Sequence, residues 1–498
     1  MRALLLLAPA AAATSSPPPP EGEPSAAAWA AAAWLNGSAG MIRREFHAEA
    51  AAVSSAHVYA STIGFHELRL NGAVLGQQAD KIFEPGVAVY GYRALFTAFD
   101  ITAKLHPGGS SNVFGALLGN GASAACGTGR PSPCSDGGQT LAGTTKCAEL
   151  TAGGDAAAAG GCKAGCSNGK AFRAIVALHY RNGSTATFAT AADGSWRTAV
   201  SPMVYDDMYA GERWDDREAA RTQGFWLAGY PATATLPAVP TVARPLGPAG
   251  AIEGGGVNQS ATMASSVAPP IRITKHYPAL TVELVDAGTP GLWTFDFGTT
   301  LTGIAELSVA GPAGALVKMD FAVMLVGGAA AVQFAPQTSV EYILSGNATP
   351  GGGTEEVYRQ KFCWFNFRYI TLNASSLGAE WTPSLETVTA YRIGSDTTGA
   401  QYADPKHIGN EGRAELPESG YASWHSSNDV LNRYQGLSER TQLMNMVSIP
   451  MDTPDRERHG WTGDSQLQLE TGLLNLDAVD FCRNWLQLLR DQMDYSGW

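Results

Sequence analysis

The sequence has few charged residues, and basic residues are the scarcer kind. Only 16% of the 498 residues are charged, with 33 Lys and Arg against 45 Asp and Glu, so the formal net charge is −12. Nucleic acids and anionic membranes are bound through clustered Lys and Arg. We therefore expect neither as a partner, whereas a neutral ligand such as a sugar is compatible with this composition.

Two further absences narrow the range of functions. No run of 18 or more apolar residues is present, so the sequence predicts no membrane-spanning helix. The nine His residues show neither H-x₃-H nor HExxH spacing, which argues against a catalytic transition metal. The whole chain is 45% hydrophobic and contains 57 Gly and 28 Pro. The length of 498 residues predicts about three domains, and the high Gly and Pro content favours short strands over long helices.

The first 40 residues have the composition of a targeting segment followed by a linker. Arg2 precedes the apolar run Ala3–Ala13, and the Ala/Ser residues after it suit signal-peptide cleavage. An Ala-rich low-complexity start is the alternative. The Pro/Ala-rich residues 14–40 predict a linker, with folded structure beginning near Met41. We expect a secreted protein, and five N-x-[ST] sequons fit a glycoprotein: Asn36, Asn182, Asn258, Asn347 and Asn373.

Five of the seven Cys residues are concentrated between Cys126 and Cys166. Their intervals of 8, 13, 15 and 4 residues fit no CxxC pair, and no His lies between them. Such a cluster is typical of a disulfide-bonded loop in an oxidising compartment, with a zinc site as the alternative. We therefore interpret residues 122–168 as a Cys-rich insertion at a loop tip.

The insertion interrupts a region, residues 41–240, that has the pattern of a β-sandwich. Asn71-Gly72 after the alternating run Leu68–Leu70 predicts a tight hairpin. Phe172–Tyr180 alternates strictly, with its apolar residues on one face.

Two more regions follow the first sandwich before the pattern changes. Residues 241–268 are rich in Pro, Ala and Gly and predict a linker. Residues 269–398 predict a second sandwich, because short apolar runs such as Thr281–Val285 and Ile304–Val309 alternate with turns such as Gly311–Gly314.

Helical spacing replaces the strand pattern in residues 399–498. The apolar residues predict helices over residues 427–447, 467–475 and 478–493, with Ser426, Ser427 or Asn428 as the first N-cap. Three helices do not form a sizeable helical domain, so we expect either a larger helical domain or a fragment.

The segment Ile449–Gln466 contains the residues best suited to chemistry. It lies between two predicted helices and holds four carboxylates, two Arg and Trp461. A carboxylic acid that donates a proton, carboxylates that bind hydroxyls and a ring that stacks on a sugar face would suit glycoside hydrolysis. A solvated loop of Arg–carboxylate pairs is the alternative.

This segment resembles the signature of the inverting α-L-rhamnosidases, roughly D-C-P-[TQ]-R-E-[KR]-L-G-W-x-G-D. Residues 452–464 read DTPDRERHGWTGD. Tyr59–Gly72 and Asp207–Glu212 resemble the family's lectin-like N-terminal sandwich, and Phe295–Gly298 resembles its second sandwich. The resemblance implies two jelly-roll-like β-sandwiches followed by the first part of an (α/α)6 barrel, incomplete within residues 399–498.

The resemblance also implies roles for individual residues. Glu457 corresponds to the general acid, Asp452 and Asp464 to carboxylates that bind rhamnose hydroxyls, and Trp461 to a ring that packs on the sugar. We add Arg456 to the substrate-binding set. The family's general base lies in a later part of the barrel, beyond Trp498.

Several positions depart from the family pattern. Asp455 stands for Thr or Gln, His459 for Leu, Thr299-Thr300 for Gln-Asn and Val323 for Glu. These departures weaken the assignment of minor substrate contacts. They do not affect the four positions with assigned roles, Asp452, Glu457, Trp461 and Asp464.

Two other functions remain open at this stage. One is a glycan-binding protein with a vestigial barrel, and the other is an inverting barrel glycosidase of different sugar specificity. We expect no cofactor. Four acids of the first sandwich could bind Ca²⁺ as an oxygen cluster, although the pattern favours ordinary solvated loop acids: Asp206, Asp207, Asp215 and Asp216.

Secreted protein should contain at least two disulfides among the residues Cys126–Cys166. Peptide mapping without reduction would detect them, and five unmodified thiols would argue for a reducing compartment.

The 498-residue chain should hydrolyse aryl rhamnosides poorly, because inverting hydrolysis needs a second carboxylate. Release of nitrophenol by purified chain measures this. Efficient turnover would require a base within residues 1–498.

Overall fold

The fold was analysed in a computed structural model. It describes residues 23–37, 39–49, 52–76, 81–89, 92–106, 109–121, 170–209, 211–239, 262–286, 288–331, 338–347, 355–397 and 425–496. The first 22 residues and the Cys-rich insertion, including Cys126–Cys166, lie outside this part, so the signal-peptide and disulfide predictions stay predictions.

Two six-stranded sheets form the first β unit. One sheet contains Leu35–Asn36, Val53–Ile63, Arg93–Asp100, Ala171–Tyr180, Thr185–Ala189 and Thr262–Ser265. The other contains Gly40–His47, Phe65–Leu70, Ala73–Val74, Ser111–Gly119, Trp196–Val200 and Leu236–Pro237. Between them the rings of Phe114, Phe172 and Trp196 pack with centroids 5.8–6.4 Å apart.

Two local predictions in this unit are confirmed. Asn71 and Gly72 have φ of 52° and 86° and join Phe65–Leu70 to its partner Ala73–Val74, as a two-residue hairpin requires. The alternating residues of Ala171–Tyr180 face the core between the sheets and are buried: Phe172, Ala174, Val176 and Leu178.

The chain is ordered earlier than predicted. Within the predicted linker, Ser25 caps the helix Ala26–Ala31 by accepting a hydrogen bond from the Ala28 N–H. Trp29 and Trp34 are buried, and the Trp29 ring packs on Phe96 at 5.2 Å. Two buried indoles supply enough apolar contact to order an Ala-rich segment, which composition alone does not reveal.

One ten-stranded sheet forms the second β unit. Its strands are Met203–Asp207, Gly211–Asp215, Ile271–Pro278, Thr281–Leu284, Leu292–Val309, Leu316–Ala322, Ser339–Ile343, Glu356–Arg359, Phe365–Asn373 and Val388–Ser395, and a hairpin Met324–Val326/Ala329–Ala331 lies beside it. The predicted run Ile304–Val309 is the end of the longer strand Leu292–Val309. The register shifts between Asp296 and Leu301, so one bent strand pairs with different neighbours along its length.

The two β units exchange strands, which corrects the predicted boundaries at residues 240 and 268. Gly211–Asp215 belongs to the second sheet and pairs in parallel with Ser339–Ile343. Thr262–Ser265, within the predicted linker, pairs in parallel with Arg93–Asp100 of the first unit. Gly211 has φ of 126°, and a Cβ there would lie 1.7 Å from the Ser339 carbonyl oxygen. Glycine is therefore required at this crossing.

Short helical turns connect these strands. They are the helix Asp216–Arg221 and the 3₁₀ turns Thr102–Lys104, Gln223–Trp226, Ala232–Ala234 and Ser375–Leu377.

Three helices follow the β units. They span Asp429–Met444, Thr462–Asn475 and Val479–Ser496, and the short strands Met446–Val447 and Ile449–Pro450 lie after the first. Asn428 is the N-cap, because its side chain accepts from the N–H groups of Val430 and Leu431. The second helix begins five residues before the prediction, at the end of the signature segment. No helix among the described residues is long and apolar enough to cross a membrane.

The helices expose an unusual number of large apolar side chains. The exposed apolar side chains are those of Val430, Leu431, Tyr434, Leu437, Leu467, Leu473, Leu474, Val479, Leu486 and Met493. Meanwhile Glu439, Gln442 and Asn475 are buried between the helices. The described residues therefore do not by themselves form a complete (α/α)6 barrel.

Arg458 joins the helical region to the β units. Its guanidinium donates to the carbonyl oxygens of Met208 and Trp364, both at 2.6 Å, and lies over the rings of Tyr209 and Phe365. The side chain is buried, and burial lowers the pKa of the guanidinium.

Arg458→Leu should lower the free energy of unfolding by about 3 kcal/mol, because two buried carbonyls lose their donor. Arg433→Leu, at an exposed position of the first helix, is the control and should change it by less than about 0.5 kcal/mol. Urea titration followed by tryptophan fluorescence measures both. Equal shifts would mean that Arg458 is not an anchor.

Candidate functional site

The signature segment forms a closed loop between Ile449–Pro450 and the helix that begins at Thr462. The Asp452 N–H donates to the His459 carbonyl at 3.0 Å, and the Arg458 N–H donates to the Thr453 carbonyl at 3.2 Å. The Asp452 carboxylate accepts from the His459 N–H at 2.9 Å and from the Thr453 hydroxyl at 3.0 Å. Asp452 therefore fixes the loop that carries the other candidate residues.

Glu457 and Trp461 are in direct contact on the outside of this loop. The indole N–H of Trp461 donates to Glu457 Oε2 at 2.9 Å. Glu457 is exposed, and half of the Trp461 surface is accessible. The pair presents a carboxyl group and an aromatic face side by side, which suits a ligand with both hydroxyls and an apolar face.

His459 connects the loop to the β units. Its imidazole lies between the rings of Tyr209, 5.8 Å away between centroids, and Trp461, 6.0 Å away. The Tyr209 hydroxyl is 3.5 Å from Nδ1. Burial lowers the pKa of His459 and raises that of Tyr209 to about 12, so both side chains are neutral near pH 7. Sequence reasoning gave His459 no role; its departure from the family's Leu was the available signal.

Gly460 sets how closely the loop approaches the last helix. A Cβ at this position would lie 2.3 Å from the Trp485 ring. The Trp485 indole in turn donates to the Ser465 hydroxyl at 3.1 Å, in the first turn of the helix Thr462–Asn475. The absence of a side chain at Gly460 therefore lets loop and helices pack together.

The structure brings some of the predicted site residues into contact and leaves others apart. Asp452, Glu457 and Trp461 are connected through hydrogen bonds and the ring of His459. Asp464 is exposed in the first turn of the second helix, where a carboxylate is favoured by the helix dipole alone. Arg456 is half-buried on the same loop.

The four acids considered for Ca²⁺ each have a separate partner. Asp206 is buried against Lys170 at 2.7 Å, Asp207 accepts from the Tyr209 N–H, Asp215 pairs with Arg217, and Asp216 accepts from the Trp214 indole. Within the described ranges, no group of three or more His, Cys, Asp or Glu side chains could hold a metal ion. The geometry gives the Ca²⁺ alternative no support.

Three family models match the chain in succession. Residues 51–275 match the α-L-rhamnosidase N-terminal domain, residues 287–393 the bacterial α-L-rhamnosidase concanavalin-like domain, and residues 420–498 the bacterial α-L-rhamnosidase 6 hairpin glycosidase domain. Together they cover most of the sequence.

Curated relatives give the same result. An α-L-rhamnosidase of Streptomyces avermitilis is 26% identical over 95% of this chain, and one of Formosa agariphila is 24% identical over 89%. In both cases the match covers 38% of the relative.

Solved structures share the fold over nearly the whole chain. The S. avermitilis α-L-rhamnosidase complexed with L-rhamnose superposes with a TM-score of 0.68 at 24% identity, covering 93% of this chain and 37% of that one. The Aspergillus terreus enzyme gives 0.69 at 21% identity, covering 93% and 45%. With three consecutive domain models matched in order, the chain belongs to the bacterial α-L-rhamnosidase family.

Proposed function

We propose that this chain supplies the proton donor and the sugar-binding groups of an enzyme that removes terminal α-L-rhamnose from glycosides. The observation that supports this most directly is the contact between Glu457 and Trp461 on the exposed side of a fixed loop. Because the chain spans about 38% of the length of its curated relatives, the activity is proposed for a protein of their full length.

Glu457 is the proposed general acid. The Trp461 indole occupies Oε2, so Oε1 can approach the glycosidic oxygen. Proton transfer to that oxygen assists departure of the aglycone. The same indole N–H stabilises the carboxylate that remains, while its exposed ring provides a surface for the apolar face of the sugar.

Asp452, Arg456 and Asp464 are the proposed rhamnose-binding residues. The Asp452 carboxylate accepts two hydrogen bonds within the loop, and an ionised carboxylate has about four lone-pair sites. It therefore retains capacity for a sugar hydroxyl while its position is fixed. Asp464 and Arg456 lie on either side of Trp461 in sequence and can contact hydroxyls at the ring's edge.

An inverting reaction also requires a base about 6.5–9.5 Å from the acid, with room for water. We propose that further helices of an (α/α)6 barrel provide it, and that they cover the apolar residues exposed on the three described helices. The reaction needs only carboxyl groups and water, so no cofactor is proposed. Arg2 followed by the apolar run Ala3–Ala13 supports secretion as the proposed location.

Glu457→Gln in an enzyme of full length should lower turnover of natural rhamnosides by about 10²–10⁴, because the amide cannot deliver a proton. The loss should be smaller for nitrophenyl rhamnoside, whose leaving group needs less protonation. Steady-state rates on both substrates measure the difference.

Asp452→Asn and Asp464→Asn are the matched controls. They remove charge from proposed rhamnose-binding groups, so both substrate classes should be weakened to a similar degree. Leaving-group dependence in Asp452→Asn, together with equal losses in Glu457→Gln, would make Asp452 the acid and contradict the assignment.

A further inference from the structure

A row of three rings ends at the Glu457 carboxyl group. Tyr209, which follows the strand Met203–Asp207 of the second β unit, is succeeded by His459 and Trp461, and the Trp461 indole donates to Glu457 Oε2. Adjacent rings meet edge to face, at interplanar angles of 66° and 85°. Edge-to-face pairs with centroids about 4.5–7 Å apart are favourable, so each ring restricts the orientation of the next.

The first ring of the row has a fixed position. The Tyr209 N–H donates to the Asp207 carboxylate at 2.7 Å, and the carbonyl of the preceding residue, Met208, accepts from Arg458. The Arg458 guanidinium also lies 5.6 Å from the Tyr209 centroid. Tyr209 is therefore held by the β unit on one side and by the buried cation of the signature loop on the other.

The last ring of the row is more exposed. Half of the Trp461 surface is accessible, and its side chain makes no capping hydrogen bond to the helix Thr462–Asn475 that follows it. An exposed side chain has several staggered rotamers, and only some of them direct the indole N–H at Glu457. The His459 ring, 6.0 Å from Trp461 between centroids, is the neighbour that restricts this choice.

We propose that His459, supported by Tyr209, is a positioning residue that holds Trp461 and thereby determines which oxygen of Glu457 carries the acid proton. This role rests on the proposed function, in which Glu457 is the proton donor. An indole N–H can only donate, so the carboxyl oxygen that it contacts acts as the acceptor. With the indole on Oε2, the proton of the neutral carboxyl group is favoured on Oε1, the oxygen that can approach the glycosidic bond.

His459 can take this position without weakening the donor because its ring is neutral. Burial lowers the pKa of His459, although the carboxylates of Asp452 and Glu457 oppose the shift. A cation at this position would favour the ionised form of Glu457. Arg458, the next residue along the chain, directs its charge inward onto backbone carbonyls. The loop thus gains a ring contact at residue 459 without a charge beside the donor.

Fluorine NMR on the 498-residue chain labelled with 5-fluorotryptophan tests the ring contact independently of activity. The chain contains 12 Trp residues, and Trp461→Phe identifies the Trp461 resonance by its loss. His459→Ala should move this resonance towards its position in urea, because the indole loses its neighbour and becomes more solvated. His459→Phe, which keeps a ring at the same position, should leave the resonance closer to that of the unchanged chain.

His57→Ala is the matched control. His57 is a half-buried histidine of the first β unit, and its ring lies 6.1 Å from that of Tyr59 between centroids. Its replacement removes a comparable contact outside the signature loop, so the Trp461 resonance should stay in place. The proposal is overturned if His459→Ala leaves that resonance unmoved, or if His57→Ala moves it as far.

Rates on two substrates show whether this positioning assists proton donation in an enzyme of full length. His459→Ala should lower turnover of a natural rhamnoside about 3- to 10-fold, the effect expected when one ordered side chain becomes mobile. Turnover of nitrophenyl rhamnoside should fall less than about twofold, because its leaving group needs little protonation. A purely structural defect would lower both rates alike, and equal losses would overturn the positioning role.

Glu457→Gln, measured in the same series, separates this role from the proposed function. If Glu457→Gln depends on the leaving group and His459→Ala does not, the positioning role is wrong and the proposed function stands. If neither variant depends on the leaving group while the fluorine resonance moves, the proposed donor is wrong, and His459 supports Trp461 without a part in proton donation.

Discussion

The position of the signature loop depends on one buried cation. Arg458 has a left-handed backbone, with φ of 52°, and this turns its side chain inward while Glu457 remains outside. The guanidinium then bridges carbonyls that lie 250 and 94 residues away in sequence. Arg can do this because its planar fork donates in fixed directions and stacks on rings. Two neighbouring residues thus point in opposite directions: Arg458 anchors the loop, and Glu457 faces solvent.

This anchoring explains how a loop can hold the candidate site residues in a defined geometry. Asp452 ties the two ends of the loop together, and Gly460 permits close contact with Trp485. The exposed pair Glu457–Trp461 is joined by a single hydrogen bond. Sites carried on rigid supports retain their geometry at lower entropic cost when a ligand binds.

Features that depend on neighbouring residues could be predicted from the sequence, and features that depend on distant ones could not. The hairpin at Asn71-Gly72 follows from local backbone preference, and the N-cap was among three adjacent candidates. Burial of Trp29 requires knowledge of Phe96. Strand exchange was equally invisible, because nothing in the local sequence of Gly211–Asp215 shows that its partner is Ser339–Ile343.

The candidate site likewise has features that the sequence could predict and features that it could not. A long motif predicts Glu457, Asp452, Trp461 and Asp464 as site residues, yet motif letters do not show which carboxylate is bound within the loop and which is exposed. Nor do they show that Tyr209 and His459 meet, since a contact of two half-buried rings leaves no local pattern. A cavity between the two β units is lined by six separated stretches of the chain, among them 66–68, 81–84 and 359–362, so no single window of sequence contains it.

The exchange of strands has a consequence for how the molecule is made. A ribosome releases residues in order, so Gly211–Asp215 emerges long before its partner Ser339–Ile343, and Arg93–Asp100 waits for Thr262–Ser265 to complete its sheet. Each pairing closes a long loop, whose entropy must be lost before the contact forms. Neither β unit is therefore complete until strands beyond residue 240 have been synthesised. A nascent chain halted at residue 240 would expose unpaired sheet edges that favour association with other chains.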